Sequence, residues 1–145
     1  MPLRLSAALV PLIFAGAAFA LPGTQSTDVM KRLRLMTQIR DTSTTLGSMA
    51  RGETTFDADH AGRLASKLRA DVAAIPIHFE FQVIDAGSRA RPLIWADWSG
   101  FEEAAARTEA AAAALRTDTP EQLGAGIKVL EQSCQNCHRR YRLAD

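Results

Sequence analysis

The sequence TPEQLGAGIKVLEQSCQNCHRRY, residues 119–141, holds a helix start, a helical period and a reactive cluster in one stretch. Thr119 and Gln122 form a capping box, and Pro120 stands at the first helical position, where a missing N–H costs nothing. From there Leu123, Ile127, Leu130, Cys134, Cys137, His138 and Tyr141 recur at helical spacing, which places them along one face. Gly124 and Gly126 weaken the first turns but let a neighbouring helix approach closely. The stretch predicts a long amphipathic helix that needs partners to cover its apolar face.

Three further segments supply those partners. The first spans about Asp28 to Ala50, capped by Ser26 or Thr27 and closed by Gly52, with Val29, Leu33, Met36, Ile39 or Arg40, Ser43, Leu46 and Met49 on its stripe. The second starts at Asp57, a good N-cap, carries Ala61, Leu64, Ala65, Leu68, Val72 and Ile75, and is expected to stop at Pro76. Residues 76–92 read as a crossover loop that packs Ile77, Phe79, Phe81, Val83 and Ile84 onto the bundle, since one strand there has nothing to pair with. The third helix begins near Pro92 and repeats Ile94, Trp98, Phe101, Ala105, Thr108, Ala112 and Leu115, the spacing of an antiparallel seam. The fold class is all-α: an antiparallel four-helix bundle with a long loop between the second and third helices.

Length and composition agree with one such domain. The chain has 145 residues, 47% hydrophobic and 23% charged, which excludes a disordered or collagen-like polymer. Aromatic residues are only 6%, while alanine occurs 26 times, a balance suited to closely packed helices. Seventeen basic against 16 acidic residues give +1, so no net field draws nucleic acid or anionic lipid.

Residues 1–20 read as a signal peptide. Arg4 is a thin positive start, residues 5–19 are almost wholly apolar, and Ala18-Phe19-Ala20 offers a small-x-small cleavage site. The apolar run is short for a span and is broken by Pro11. Cleavage after Ala20 leaves residues 21–145 as the bundle, formally neutral without Arg4, exported to the periplasm and carrying no later membrane span.

Export sharpens the meaning of Cys134-Gln135-Asn136-Cys137-His138. Two thiols one helical turn apart, followed at once by histidine, are the attachment pattern for c-type haem. The thiols reach two vinyl groups on one porphyrin edge, and the histidine swings its imidazole under the iron. Three rival readings fit less well. A redox dithiol belongs at a helix N-terminus after a strand; a zinc site needs a fourth ligand and shows no second spaced pair; a plain disulfide leaves His138 unexplained. The expectation is one covalent haem c per chain, held by Cys134 and Cys137 with His138 as proximal iron ligand.

With these features the chain resembles the cytochrome c′ family over nearly all of residues 21–145. Arg32 and Met36 on the first helix match that family's arginine and, four residues on, the side chain over the distal haem face. Trp95 follows the long loop, and Tyr141-Arg142 follows the haem motif, as the family pattern has it. The resemblance implies either of two functions. Five-coordinate members bind nitric oxide or carbon monoxide; low-spin relatives place a methionine sulfur on the iron and pass single electrons to redox partner proteins. Met36 suits both, because a thioether can ligate iron or fill space; the expectation leans to electron transfer with Met36 as distal ligand. The resemblance also implies a homodimer through the first two helices.

The remaining candidates are weaker. Arg32 and Arg142 are candidate contacts for haem propionates or the pocket, with a solvated surface charge as the equal alternative. Met30 and Met49 read as ordinary core or surface residues, His60 as a solvated histidine, His78 as a loop residue, and Trp95 and Trp98 as bundle core. Scattered acidic residues show no pair for acid–base catalysis, and a peroxidase would need polar distal residues that the predicted pocket lacks, so the chain is not read as an enzyme.

Overall fold

Capping side chains start the long helices where the sequence places them. The computed structural model describes residues 26–144; the expected signal peptide and its cleavage site lie outside them. Ser26 Oγ accepts from the Val29 N–H at 3.1 Å and opens α1, Thr27–Ala50. Asp57 Oδ1 accepts from the His60 N–H at 2.9 Å and opens α2, Ala58–Ala73. Thr119 Oγ1 accepts from the Gln122 N–H at 3.3 Å and opens the last helix, Pro120–Tyr141. Each bond satisfies an amide that the helix itself cannot. Gly52 follows α1 at a φ of 72°, a left-handed conformation that glycine adopts without a side-chain clash.

Two boundaries differ from the expectation. Pro76 does not end the helical path: α2 stops at Ala73, and a short helix α3, Ile75–Phe79, begins with Pro76 in its first turn. Proline is tolerated there because a first-turn amide has no helical acceptor to lose. The third bundle helix is broken at Asp97 into α4, Leu93–Ala96, and α5, Trp98–Ala113, with Asp97 itself at φ −132° and ψ 55°. The last helix is therefore α6. The four long helices close a ring in which α1 packs on α2 and α6, and α5 packs on α2 and α6. Four-helix architecture is borne out. Among the described residues there is no strand; Ala90 and Arg142 form one isolated antiparallel bridge.

The core follows the expected seams, with one shift on α1. Leu68, Val72, Phe101, Ala105, Leu123 and Leu130 are buried as anticipated. On α1 the fully packed stripe runs through Val29, Arg32, Leu35, Ile39, Thr42 and Leu46, whereas Leu33 and Met36 are only half-buried. The periodicity had placed Leu33 and Met36 on the core stripe and left out Leu35 and Arg32. A 3.6-residue period allows two adjacent stripes, and here the second faces a cavity. At Gly126 the close approach comes from the segment just past α5 and not from a helix: a Cβ there would lie 2.8 Å from Leu115 Cδ2.

The crossover is the largest departure. Phe79 is buried, but Ile77, Phe81 and Ile84 are 72%, 66% and 45% exposed, so the loop does not fold its apolar residues inward as expected. Backbone hydrogen bonds hold it instead. The buried Arg32 guanidinium donates from Nε to His78 O at 2.8 Å, from Nη1 to Val83 O at 2.6 Å, and from Nη2 to Phe81 O. It lies against the rings of Phe79 and Trp95, at 5.0 and 5.3 Å to their centroids, and Trp95 Nε1 donates to Phe79 O at 2.7 Å. Asp85 adds a second tie, accepting from the Ser26 N–H at 2.7 Å and the Gly87 N–H at 2.9 Å.

Replacing Arg32 by methionine keeps the apolar stem but removes all three bonds to the crossover. The expected loss is about 3 kcal/mol in urea unfolding, the cost of stranding partly buried carbonyls. Ile77→Ala, at an exposed position, should stay within about 0.5 kcal/mol. Equal effects of the two changes would show that the guanidinium does not hold the loop.

Candidate haem site

A cavity of about 470 Å³ opens between α1 and α6. Its α1 wall is the second stripe, Leu33, Met36 and Arg40, joined by Thr37 and by Val29 and Arg32 from the core stripe. The α6 wall is Cys134, Cys137, His138, Tyr141 and Arg142. Phe79, Ile94 and Phe101 close its inner side. Met36 and His138 thus line one cavity from opposite helices, as the register of the two helices predicts.

The lining suits a flat apolar group that carries carboxylates. The exposed cavity surface is mostly apolar, and Arg32, Arg40, Arg89 and Arg142 are on it without any Asp or Glu. Two carboxylates of a bound group would find cations and no like charge. Two thiols and an imidazole stand on one wall of the same space. These residues fit haem c.

The α6 side chains are poised for that chemistry. Cys134 and Cys137 are free thiols, half-buried. Burial pushes both up, Cys137 to about 11 with a further contribution from neighbouring Cys134. Protonated thiols deep in a long helix are poor partners for disulfide exchange, which counts against the redox-dithiol reading. No group of three or more His, Cys, Asp and Glu side chains suited to a metal ion occurs among the described residues. His138 is exposed at the mouth of the cavity; partial desolvation of its ring first and the Arg142 charge second hold it below its ordinary value, which favours the neutral ring that keeps a lone pair for a metal.

Tyr141 is buried and packs edge-on against Phe101 at 5.4 Å, with its hydroxyl donating to Asp97 Oδ2 at 2.6 Å. Burial, then the bond to Asp97, pushes its hydroxyl up to about 12, which keeps it a donor. Arg140 Nη2 approaches the same carboxylate oxygen at 2.8 Å.

The other sequence candidates scatter as follows. Arg32 reaches the cavity wall, but its donors go to the crossover carbonyls; burial lowers it from its ordinary value, partly offset by Asp28 and Asp85. It is not a solvated surface charge. Arg142 is exposed at the cavity edge beside His138. Met49 is core and Met30 is on the surface. His60 is half-buried at the start of α2, away from the cavity, and His78 is in α3 rather than in a loop. Trp95 and Trp98 are half-buried beside a second, open hollow of about 510 Å³ with Pro76 and Glu80.

Two lining residues escaped the sequence reading as site residues. Arg40 follows Met36 by one turn, and helical register alone would have found it; with Thr37 it makes the distal wall less apolar than expected. Arg89 carries no sequence signal. It arrives because Arg91 N–H donates to Tyr141 O at 2.9 Å and Leu143 N–H to Arg89 O at 2.8 Å, pinning the loop to the end of α6.

Comparison with known proteins shows the family. The family model described as Cytochrome C′ matches residues 27–142. Cytochrome c-556 of Agrobacterium fabrum is 30% identical over 141 residues, covering 95% of this chain and 92% of the relative. Cytochrome c-554 of Cereibacter sphaeroides is 38% identical over 122 residues, 77% of each. The crystal structure of cytochrome c′ from Rubrivivax gelatinosus superposes with a TM-score of 0.71 at 24% identity, covering 79% of this chain and 94% of that one, and so shares the fold. This chain belongs to the cytochrome c′ family, and its cofactor is haem c.

Proposed function

We propose that the protein is a periplasmic one-electron carrier in which Cys134 and Cys137 hold the haem by thioethers, His138 is the proximal ligand and Met36 the distal one. Bound haem supplies an iron that alternates between ferric and ferrous states. The observation that carries the reading is that Met36 and His138 line the same cavity from facing helices. A flexible thioether fits that task better than a branched side chain. The neutral imidazole of His138 offers its lone pair without first losing a proton. The arginines on the lining offer counter-charges to the propionates; Arg32 is committed to crossover carbonyls, and Arg40 donates from Nη2 to Asp41 Oδ1 at 2.8 Å.

A second reading draws on the same wall. Leu33 and Met36 stand side by side at the cavity, both half-buried. If Met36 packs against Leu33 instead of the iron, the distal position stays open to nitric oxide or carbon monoxide, and the protein captures a gas rather than passing electrons.

One experiment tests the attachment and a second separates the two readings. After acid–acetone extraction the haem should remain on the polypeptide by mass spectrometry, and the Cys134→Ser/Cys137→Ser double variant should release it; haem that leaves the unmodified protein would sink the attachment. The ferrous protein should show a sharp low-spin alpha band, and Met36→Leu should turn it into a broad high-spin spectrum with rapid carbon monoxide uptake. A low-spin spectrum unchanged by Met36→Leu removes Met36 from the iron. A high-spin spectrum before any substitution selects the gas-binding reading.

A further inference from the structure

The break between α4 and α5 puts Asp97 within reach of the last turn of α6. Its backbone leaves helical geometry at that one residue, with φ −132° and ψ 55°, while its N–H still donates to Leu93 O at 2.9 Å. The carboxylate there accepts the Tyr141 hydroxyl at 2.6 Å and approaches Arg140 Nη2 at 2.8 Å. Gly100, one turn on, faces the same spot. A Cβ at Gly100 would press into Asp97 Oδ2 and come within 2.7 Å of the Tyr141 hydroxyl. The absence of a side chain at 100 is what lets carboxylate and phenol meet.

Tyr141 is held at three points. Its ring is edge-on to Phe101, which in turn stacks on Phe79 at 5.3 Å and Trp98 at 5.5 Å. Its hydroxyl is on Asp97, and its carbonyl accepts from the Arg91 N–H. The residue stands four after Cys137 and three after His138, on the cavity face of α6. A helix tied so firmly in its final turn cannot rotate there without breaking these contacts, and the imidazole one turn earlier rotates with it.

We infer that the Asp97–Tyr141 hydrogen bond, permitted by Gly100, sets the rotation of the last turn of α6 and so the direction in which His138 presents its imidazole to the iron. Asp97 and Tyr141 are positioning residues for the proximal side, and Gly100 is the space they need. The inference rests on His138 as proximal ligand. An error of ~10–20° in a supporting shell is enough to lose a productive geometry, and outer partners of metal ligands commonly carry 10- to 100-fold effects.

Haem-loaded Tyr141→Phe and Gly100→Ala proteins test this, the second because it keeps both polar groups and only forces them apart. The readouts, taken in a Met36→Leu background that leaves the distal side open, are the iron–imidazole stretching band of the photolysed carbon monoxide complex and the carbon monoxide affinity. Both variants should move the band in the same direction and change the affinity by about tenfold. Asp97→Asn, which retains an acceptor oxygen, should stay closer to the unmodified protein than either. Alanine is the better helix former, so a band shift in Gly100→Ala cannot be assigned to a weakened helix. A lowered Tm in Tyr141→Phe and Gly100→Ala with band and affinity unchanged would overturn the inference and leave the contact a plain structural tie. Absence of any iron–imidazole band in the Met36→Leu protein, whose distal side is open, would instead remove His138 as ligand, a failure of the earlier reading that is seen before any change at Tyr141 or Gly100 is made.

Discussion

A buried guanidinium ties the crossover to the helix that walls the cavity, and the rest of this molecule is arranged around that tie. Arg32 extends from α1 under the crossover and satisfies three of its carbonyls while lying against two aromatic rings. The crossover buries little apolar surface of its own, with Ile77 and Phe81 largely in solvent. Without that anchor, burial would supply little to hold residues 80–88 in place. With it, the crossover is tied to α1, the helix that supplies one wall of the cavity. The charge is costly to bury, and multiple hydrogen bonds with planar stacking offset that cost.

The cavity divides its labour between two helices. From α1 come an apolar stripe and a thioether; from α6 come two protonated thiols and a neutral imidazole. Arginines line the space and carboxylates do not, so its electrostatics are settled before any group binds. The chain as a whole is nearly neutral, at +1, which makes this local excess a property of the fold rather than of composition. Belonging to the cytochrome c′ family accounts for the thiols and the imidazole together. In the reading proposed above, the state of the iron then falls to Met36 on one side and the Tyr141–Asp97 pair on the other.

Local chemistry was legible in the sequence wherever the relevant partners are close along the chain. Ser26, Asp57 and Thr119 act as caps because an N-cap needs only an amide two or three residues ahead. The seams of α2, α5 and α6 follow from periodicity, and the 134–138 cluster follows from one turn of helix. The stripe on α1 was misread by one position, since Leu33 and Leu35 are equally apolar and period alone cannot say which faces core and which faces cavity. The crossover was misread because its apolar residues suggested packing, whereas distant hydrogen bonds decide its course.

The sequence by itself determined four helices, their caps and the reactive face of α6, all of them products of contacts within a few residues. Only the tertiary structure decided that Arg32 is a staple for the crossover, that Arg89 reaches the cavity lining, and that Asp97 meets Tyr141 across 44 positions over a glycine. These pairings depend on how helices rotate and where a loop lands. Period and propensity act over one or two turns and carry no information about the far side chain that will arrive. The physical reason is that each long-range bond forms only after packing has already brought its two segments together.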